Sequence, residues 1–116
     1  MQNRAKKSWT TTAGLVLGSA LLGCATGALA AAPYLVSQKG REFTPSQLTL
    51  QRGAAVTIVN DDADLRHHAY INSSAFTFDS GDQEPGSKTV VNFTVAGTFT
   101  VLCAIHPKMR LVVKVE

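Results

Sequence analysis

Residues 97–115 read GTFTVLCAIHPKMRLVVKV, and this stretch decides the fold because two segments of alternating polarity flank a short loop. Side chains of a strand point alternately to its two faces, so Phe99, Val101 and Cys103 share one face. Leu111–Val115 alternates in the same way after the loop. The stretch therefore predicts two strands, the first of which ends with a cysteine that points inward.

The same pattern extends over most of the remaining chain. From Phe43 onward, short alternating segments are separated by turn residues, and no segment keeps a helical apolar period beyond a turn or two. Further strands are expected at 47–51, 55–59, 67–71, around 76–78, and at 88–95. Seven to eight short strands predict an all-β fold, a Greek-key β-sandwich with one core. Residues 31–37 are expected to form a linker.

The loop between the last two strands carries three residue types that bind metals. Cys103, His106 and Met109 stand at three-residue intervals and offer a thiolate, an imidazole and a thioether. Together with a second histidine they form a His2Cys set with a weak axial methionine, the ligand set of mononuclear blue copper. We therefore expect one copper ion, with three of its four ligands in this loop.

The remaining ligand is His67 or His68. In an extended strand His67 shares a face with Ala69 and Ile71, which are apolar, whereas His68 shares the opposite face with Tyr70. This alternation favours His67 as the ligand and places His68 beside the site or at the surface.

The loop before these histidines contains Asp61, Asp62 and Asp64. Three acidic residues suggest calcium, but the ordered pattern of an EF-hand loop is missing. We interpret this loop as a solvated turn.

The N-terminal segment predicts export. Residues 1–30 combine a basic start, an apolar stretch too short to span a bilayer, and the cleavage motif Ala28-Leu29-Ala30, which leaves a domain at 31–116. Leu21-Leu22-Gly23-Cys24 resembles a lipobox, so the alternative is a lipoprotein signal at 1–23 with a lipid on Cys24. Both alternatives place the protein outside the cytoplasm, periplasmic or exported, and membrane attachment is expected only if Cys24 is lipidated.

The net charge argues against nucleic acid as a partner, and the cysteine content bears on the role of Cys103. The net charge of +3 comes from the signal, because residues 31–116 contain four lysines and four arginines against five aspartates and three glutamates. Without a basic stripe, nucleic acid is not an expected partner.

Once Cys24 is set aside, Cys103 is a lone thiol in an oxidising compartment, either a small buried hydrophobe or a metal ligand. Its histidine and methionine neighbours favour the metal ligand.

Several motifs along the chain belong to one known family pattern. They are Phe43-x-Pro45-x-x-Leu48-x-Leu50-x-x-Gly53, Phe78-Asp79-Ser80-Gly81, Gly97-Thr98-Phe99 and Cys103-x-x-His106-Pro107-x-Met109. With them the chain resembles the cupredoxins, most closely the short-loop amicyanin-like and plastocyanin-like members. The two-residue gap between His106 and Met109 matches the amicyanin-like loop. By this resemblance the copper ligands are His67, Cys103, His106 and Met109.

The chain departs from the family pattern beside the ligands. Cupredoxins commonly have Asn after the first histidine and Ser or Thr after the cysteine, and these side chains join the two ligand segments. This chain has His68 and Ala104 instead. Ile105 stands where short-loop relatives often have proline, and it adds a backbone N–H that we expect to point at the Cys103 sulfur.

The resemblance implies a type 1 copper protein that shuttles single electrons through Cu(I) and Cu(II). Its partners would be redox proteins, a cytochrome or a dehydrogenase or oxidase, that dock weakly and transiently near His106. The protein is expected to be a monomeric electron carrier rather than an enzyme, since the sequence has neither a Ser-His-Asp set nor a second copper site. A periplasmic copper carrier or resistance protein of the same fold is the alternative.

Overall fold

The alternation of residues 97–115 is realised as two antiparallel strands, paired from Gly97 opposite Val115 to Leu102 opposite Arg110. The computed structural model describes residues 34–116 and, before them, only Gly14, Gly18 and Gly23. This described part consists of strands and connecting loops. Its nine strands are β1 Tyr34–Lys39, β2 Glu42–Thr44, β3 Gln47–Leu50, β4 Ala55–Asn60, β5 Ala69–Asn72, β6 Thr77–Asp79, β7 Lys88–Asn92, β8 Gly97–Cys103 and β9 Arg110–Val115.

The strands form two mixed sheets. The first has the order β2-β1-β4-β7 and the second the order β3-β9-β8-β5-β6. Strand β1 runs parallel to β4, and β3 runs parallel to β9, while the other paired strands are antiparallel. The predicted all-β sandwich is confirmed.

The core lies between the inner faces of the two sheets, where alternate apolar side chains are removed from water. In β9, for example, Leu111, Val113 and Val115 are buried while the residues between them are exposed. Aromatic rings fill one part of this core, with the Phe76 and Phe99 centroids 5.4 Å apart. Burial of such side chains is the main favourable contribution to folding.

The start of β8 requires a glycine. Gly97 has a φ of 145°, which L-residues other than glycine rarely adopt. A Cβ at this position would also lie 3.2 Å from Cζ of the Phe99 ring. Gly97 therefore lets the strand begin directly beside a core aromatic ring.

Several predicted boundaries were wrong, and the strand expected at 88–95 ends at Asn92 in β7. Residues 34–37 lie in β1 and not in a linker, and β1 pairs with β4 from Tyr34 opposite Val56 to Gln38 opposite Asn60. The predicted strand 67–71 begins later, since β5 starts at Ala69. His67 instead forms an isolated bridge, described below with the site.

The predicted signal at 1–30, its alternative at 1–23 and Cys24 lie outside the residues that the structure describes. Within the described part, no helix is long and apolar enough to cross a membrane.

Candidate metal centre

Cys103 is the last residue of β8 and points into the core. Phe99, Val101 and Cys103 are buried on the same face of this strand, as the alternation predicts. Cys103 pairs with Ala69 of the neighbouring strand β5. It is a free thiol in the described part of the chain.

His67 lies just before β5 and is held by its backbone. Its N–H donates to the carbonyl of Gln83 at 3.1 Å, and the Gln83 N–H donates back to the His67 carbonyl at 2.7 Å. The His67 side chain is fully buried, like Ala69 and Ile71, whereas His68 is partly exposed. The choice of His67 over His68 for the inward face agrees with this burial.

Three donor atoms converge at one point. His67 Nδ1 and His106 Nδ1 each lie 3.8 Å from Cys103 Sγ, and the two nitrogens are 3.2 Å apart. The three residues form a group whose ligand atoms all lie within 4.8 Å of one another. Two imidazole nitrogens and a thiol in one small space suit a soft or borderline cation, so this group could hold one copper ion.

Met109 ends the loop that begins at Cys103. Its side chain is buried, and its N–H donates to the carbonyl of His106 at 3.0 Å. This bond closes a tight turn through Pro107 and Lys108, so His106 and Met109 lie on consecutive parts of the same turn. The structure thus brings His67, Cys103 and His106 together and places Met109 in the adjoining core.

Backbone hydrogen bonds join the two segments that carry the donors. The N–H of His68 donates to Cys103 Sγ at 3.4 Å, and the N–H of Ala104 donates to the His68 carbonyl at 2.9 Å. These bonds connect the two segments through the backbone, with His68 and Ala104 at the positions where the resemblance leads one to expect Asn and Ser or Thr. The expected bond from the Ile105 N–H to the sulfur is not among the hydrogen bonds of the described residues, and the His68 N–H takes that place.

Nothing in the sequence indicated that Asp62 belongs to this site. Asp62 Oδ2 lies 2.6 Å from His67 Nε2, and the Asp62 side chain is only 10% exposed. Its other oxygen accepts the Gly40 N–H at 3.1 Å. The interpretation of this loop as a solvated turn was therefore wrong for Asp62, while Asp61 and Asp64 are exposed.

Burial and neighbouring groups shift the pKa values of Asp62 and His106. Burial opposes ionisation of Asp62, but the hydrogen bonds from His67 and from the Gly40 N–H outweigh it and lower the pKa of this carboxyl. Burial, and then the closeness of His67 and Arg41, lower the pKa of His106. A lowered pKa keeps the His106 imidazole neutral, which leaves a lone pair on one of its two ring nitrogens.

His68 lies in a different environment from the two histidines of the site. Its Nε2 is 2.6 Å from Asp79 Oδ1 and its Nδ1 is 3.2 Å from Asp82 Oδ1. Burial alone would lower the pKa of His68, but the two carboxylates raise it. Both ring nitrogens of His68 thus have carboxylate partners on the surface, away from the convergent donors.

Comparison with known proteins identifies the fold. No protein-family model and no curated protein matches the chain. Among solved structures, the Cu-containing nitrite reductase (NirK) from Thermus scotoductus SA-01 matches 73% of this chain at 28% identity with a TM-score of 0.67. The chain spans only 22% of the length of that protein.

Amicyanin structures match over most of their own length. A reduced Cu(I) form of an amicyanin variant matches 75% of this chain and 85% of its own at 23% identity, with a TM-score of 0.67. An oxidized amicyanin variant matches 78% of this chain and 88% of its own at 22% identity, also with a TM-score of 0.67. The chain therefore has the cupredoxin fold. That fold, together with the convergent histidines and cysteine, supports the conclusion that the chain is a copper protein.

Proposed function

We propose that this protein is a type 1 copper protein that carries single electrons, with His67, Cys103, His106 and Met109 as the copper ligands. The observation that carries the proposal is the convergence of two Nδ1 atoms and one Sγ atom at the inner end of β8. Buried Met109 directly follows the turn of His106 and would supply a thioether as the fourth, weak ligand. When bound, copper would supply a Cu(I)/Cu(II) couple.

The protein contributes a site whose shape changes little. Cys103 is fixed by β8, His67 by its paired backbone bonds with Gln83, and His106 by the tight turn to Met109. Ligands held on strand ends and short turns keep their positions when the charge of the site changes. This rigidity suits electron transfer, in which the surroundings should rearrange as little as possible.

His106 is the proposed route for electrons. It is partly exposed, whereas His67 and Cys103 are buried. Beside it, Ile105 is 43% exposed, and a groove lies between residues 40–42 and 105–109. We propose that redox partners, a cytochrome or a dehydrogenase or oxidase, dock here weakly and transiently.

The charge around this docking end favours acidic partners. Arg41, Lys108 and Arg110 are exposed and come from the two segments that line or adjoin the groove. Positive side chains at the rim of an interface speed association with a negatively charged surface. We further propose that the protein works as a monomer outside the cytoplasm, in the periplasm or exported, with membrane attachment only through a lipid on Cys24.

The copper test uses purified protein that has been freed of metal. Addition of Cu(II) should produce the intense visible absorption of a thiolate-to-copper charge transfer, with one copper per chain, and voltammetry should show a reversible one-electron couple. Cys103→Ser should abolish the band. Absence of the band in the wild-type protein would contradict the proposed site.

The two neighbouring histidines provide a matched pair of variants. His67→Gln should lose the charge-transfer band or shift it strongly, while His68→Gln should retain it because His68 is held by surface carboxylates. The reverse result would assign the ligand to His68. The same proteins separate an electron carrier from a copper carrier, because rapid loss of Cu(I) to a modest chelator would favour copper delivery.

A further inference from the structure

His67 uses its two ring nitrogens for different partners. Its Nδ1 faces Cys103 Sγ and His106 Nδ1, while its Nε2 lies 2.6 Å from Asp62 Oδ2. His67 is fully buried and the Asp62 side chain is 10% exposed, so water competes little for this contact. A short hydrogen bond to a carboxylate in such surroundings is stronger than one between neutral groups.

Asp62 is itself held in place from several directions. Its Oδ1 accepts the Gly40 N–H at 3.1 Å, and its own N–H donates to Asn60 Oδ1 at 3.1 Å. The buried Asn60 amide donates in turn to the carbonyls of Leu65 and Gln83, both at 2.8 Å. Both carboxylate oxygens of Asp62 therefore have a hydrogen-bond partner, one in Gly40 and one in His67.

This arrangement determines which nitrogen of His67 is free. A carboxylate at Nε2 keeps the proton on that nitrogen, which leaves the lone pair on Nδ1 directed at the convergent donors. The negative charge also makes the imidazole a stronger electron donor. It therefore favours the more positive of two charge states of whatever ion Nδ1 binds.

We propose that Asp62 is a positioning residue of this site, which fixes the tautomer and orientation of His67 and lowers the reduction potential of bound copper. The inference rests on the copper site proposed above and extends it to a residue that does not itself bind the metal. A purely structural ion pair, which only held the loop 61–66 against the protein, would affect stability and leave the potential unchanged.

The experiment compares three copper-loaded variants with the wild-type protein. Asp62→Asn keeps the size of the side chain and removes its charge, and Asp62→Glu keeps the charge. Asp64→Asn removes the same charge from an exposed position of the same loop. Each is examined by visible absorption, by voltammetry and by circular dichroism.

Asp62→Asn should raise the potential, with at least a tenfold change in the preference for Cu(I) over Cu(II), equal to about 59 mV for a one-electron couple. Asp62→Glu keeps the charge, so its potential should lie closer to that of the wild-type protein than the potential of Asp62→Asn does. Asp64→Asn should change the potential far less than Asp62→Asn. A folded Asp62→Asn variant with a normal charge-transfer band and an unchanged potential would overturn the inference while leaving the copper site intact. No band in the wild-type protein would instead reject the copper site itself.

A second measurement applies even if Asp62→Asn unfolds. In the diamagnetic Cu(I) form of the wild-type protein, long-range proton–nitrogen NMR should show a proton on His67 Nε2 at low field and in slow exchange with water. A proton on Nε2 that exchanges rapidly would show that the Asp62 bond does not hold it, and this result would also overturn the inference.

Discussion

Met109 combines two roles that one substitution can separate, packing in the core and the proposed binding of copper. Its side chain is buried in the core beside the turn of His106, so packing and metal ligation are both available to it. Met and Leu have similar volumes, and such exchanges in a core usually cost less than about 1.5 kcal/mol. Met109→Leu should therefore leave the fold stable but remove the thioether.

If Met109 is the weak ligand proposed above, Met109→Leu should raise the reduction potential and alter the charge-transfer spectrum, because a weak thioether ligand tunes both. Voltammetry and absorption spectra of the copper-loaded variant provide the measurement, and thermal unfolding of the metal-free protein provides the control. A variant with wild-type potential and spectrum would show that Met109 only packs.

The contact of Asp79 with His68 makes stability depend on pH in the acidic range. The Gly81 N–H donates to Asp79 Oδ1 at 2.7 Å, and His68 Nε2 lies 2.6 Å from the same oxygen. The Gly81 bond and then the His68 contact lower the pKa of Asp79 below its ordinary value of 3.8. A carboxyl whose pKa is depressed by folding stabilises the native state above its unfolded-state pKa. This contribution is lost as pH falls through the folded-state pKa.

Asp79→Asn should therefore lower the melting temperature of the metal-free protein at about pH 5 to 6, and the difference should shrink toward about pH 3. Circular dichroism at a series of pH values measures it. Asp64→Asn, at an exposed position of the loop before His67, is the control. A deficit for Asp79→Asn that stays constant over this range would contradict the assignment of the effect to the carboxylate charge.

At the scale of single residues, the sequence predicted those parts of the site that are chemically distinctive and close together. Cys103 and His106, which the structure brings together with His67, stand three positions apart, and strand alternation was enough to prefer His67 over His68. Met109 as a ligand stays a prediction. Asp62 could not be predicted, because its contact with His67 spans an irregular loop in which no periodicity indicates where a side chain points.

Among the strands, the sequence predicted those with a clean alternation and missed two, the three-residue β2 and the longer β1. This strand directs Gln38 inward, where it is fully buried and its amide donates to Gln83 Oε1 at 2.9 Å. A polar residue at a core position interrupts the apolar pattern, so YLVSQK has no strong strand signal. The buried partner that makes Gln38 acceptable lies 45 positions along the chain and is visible only in the folded structure.

The start of β8 provides a test of the strand that carries Cys103. Gly97→Ala should destabilise the protein by about 1–3 kcal/mol, because alanine is strained at a φ of 145° and its Cβ would press on the Phe99 ring. Urea unfolding of the metal-free protein measures the loss. Thr98→Ala, at the exposed neighbouring position, should change stability by less than about 0.5 kcal/mol. An equally small effect of Gly97→Ala would show that the strand start relaxes freely.

At the scale of the whole molecule, the site is connected to both sheets. Gln83 pairs with His67 through the backbone, accepts from Gln38 of β1 with its side-chain oxygen, and donates to Thr89 Oγ1 of β7 at 3.0 Å. Cys103 belongs to β8 in the other sheet. Donor atoms that converge at one point are thus supplied by segments fixed to different layers of the sandwich.

This arrangement predicts that bound copper stabilises the whole domain and not only the loop. An ion that binds the native state alone adds about 2.7 kcal/mol when its free concentration is a hundred times its dissociation constant. Each kcal/mol corresponds to about 4–8 °C in a domain of this size.

Removal of copper by a chelator should therefore lower the melting temperature by about 10 °C or more under these conditions. Cys103→Ser should show no such difference between copper-treated and chelator-treated samples. Because the segments around His67 and Cys103 are joined by the bonds among His68, Ala104 and the sulfur, their amides should gain the most protection from hydrogen exchange. A melting temperature that does not respond to copper, or an equal response of Cys103→Ser, would show that the convergent donors do not hold the ion in the native state.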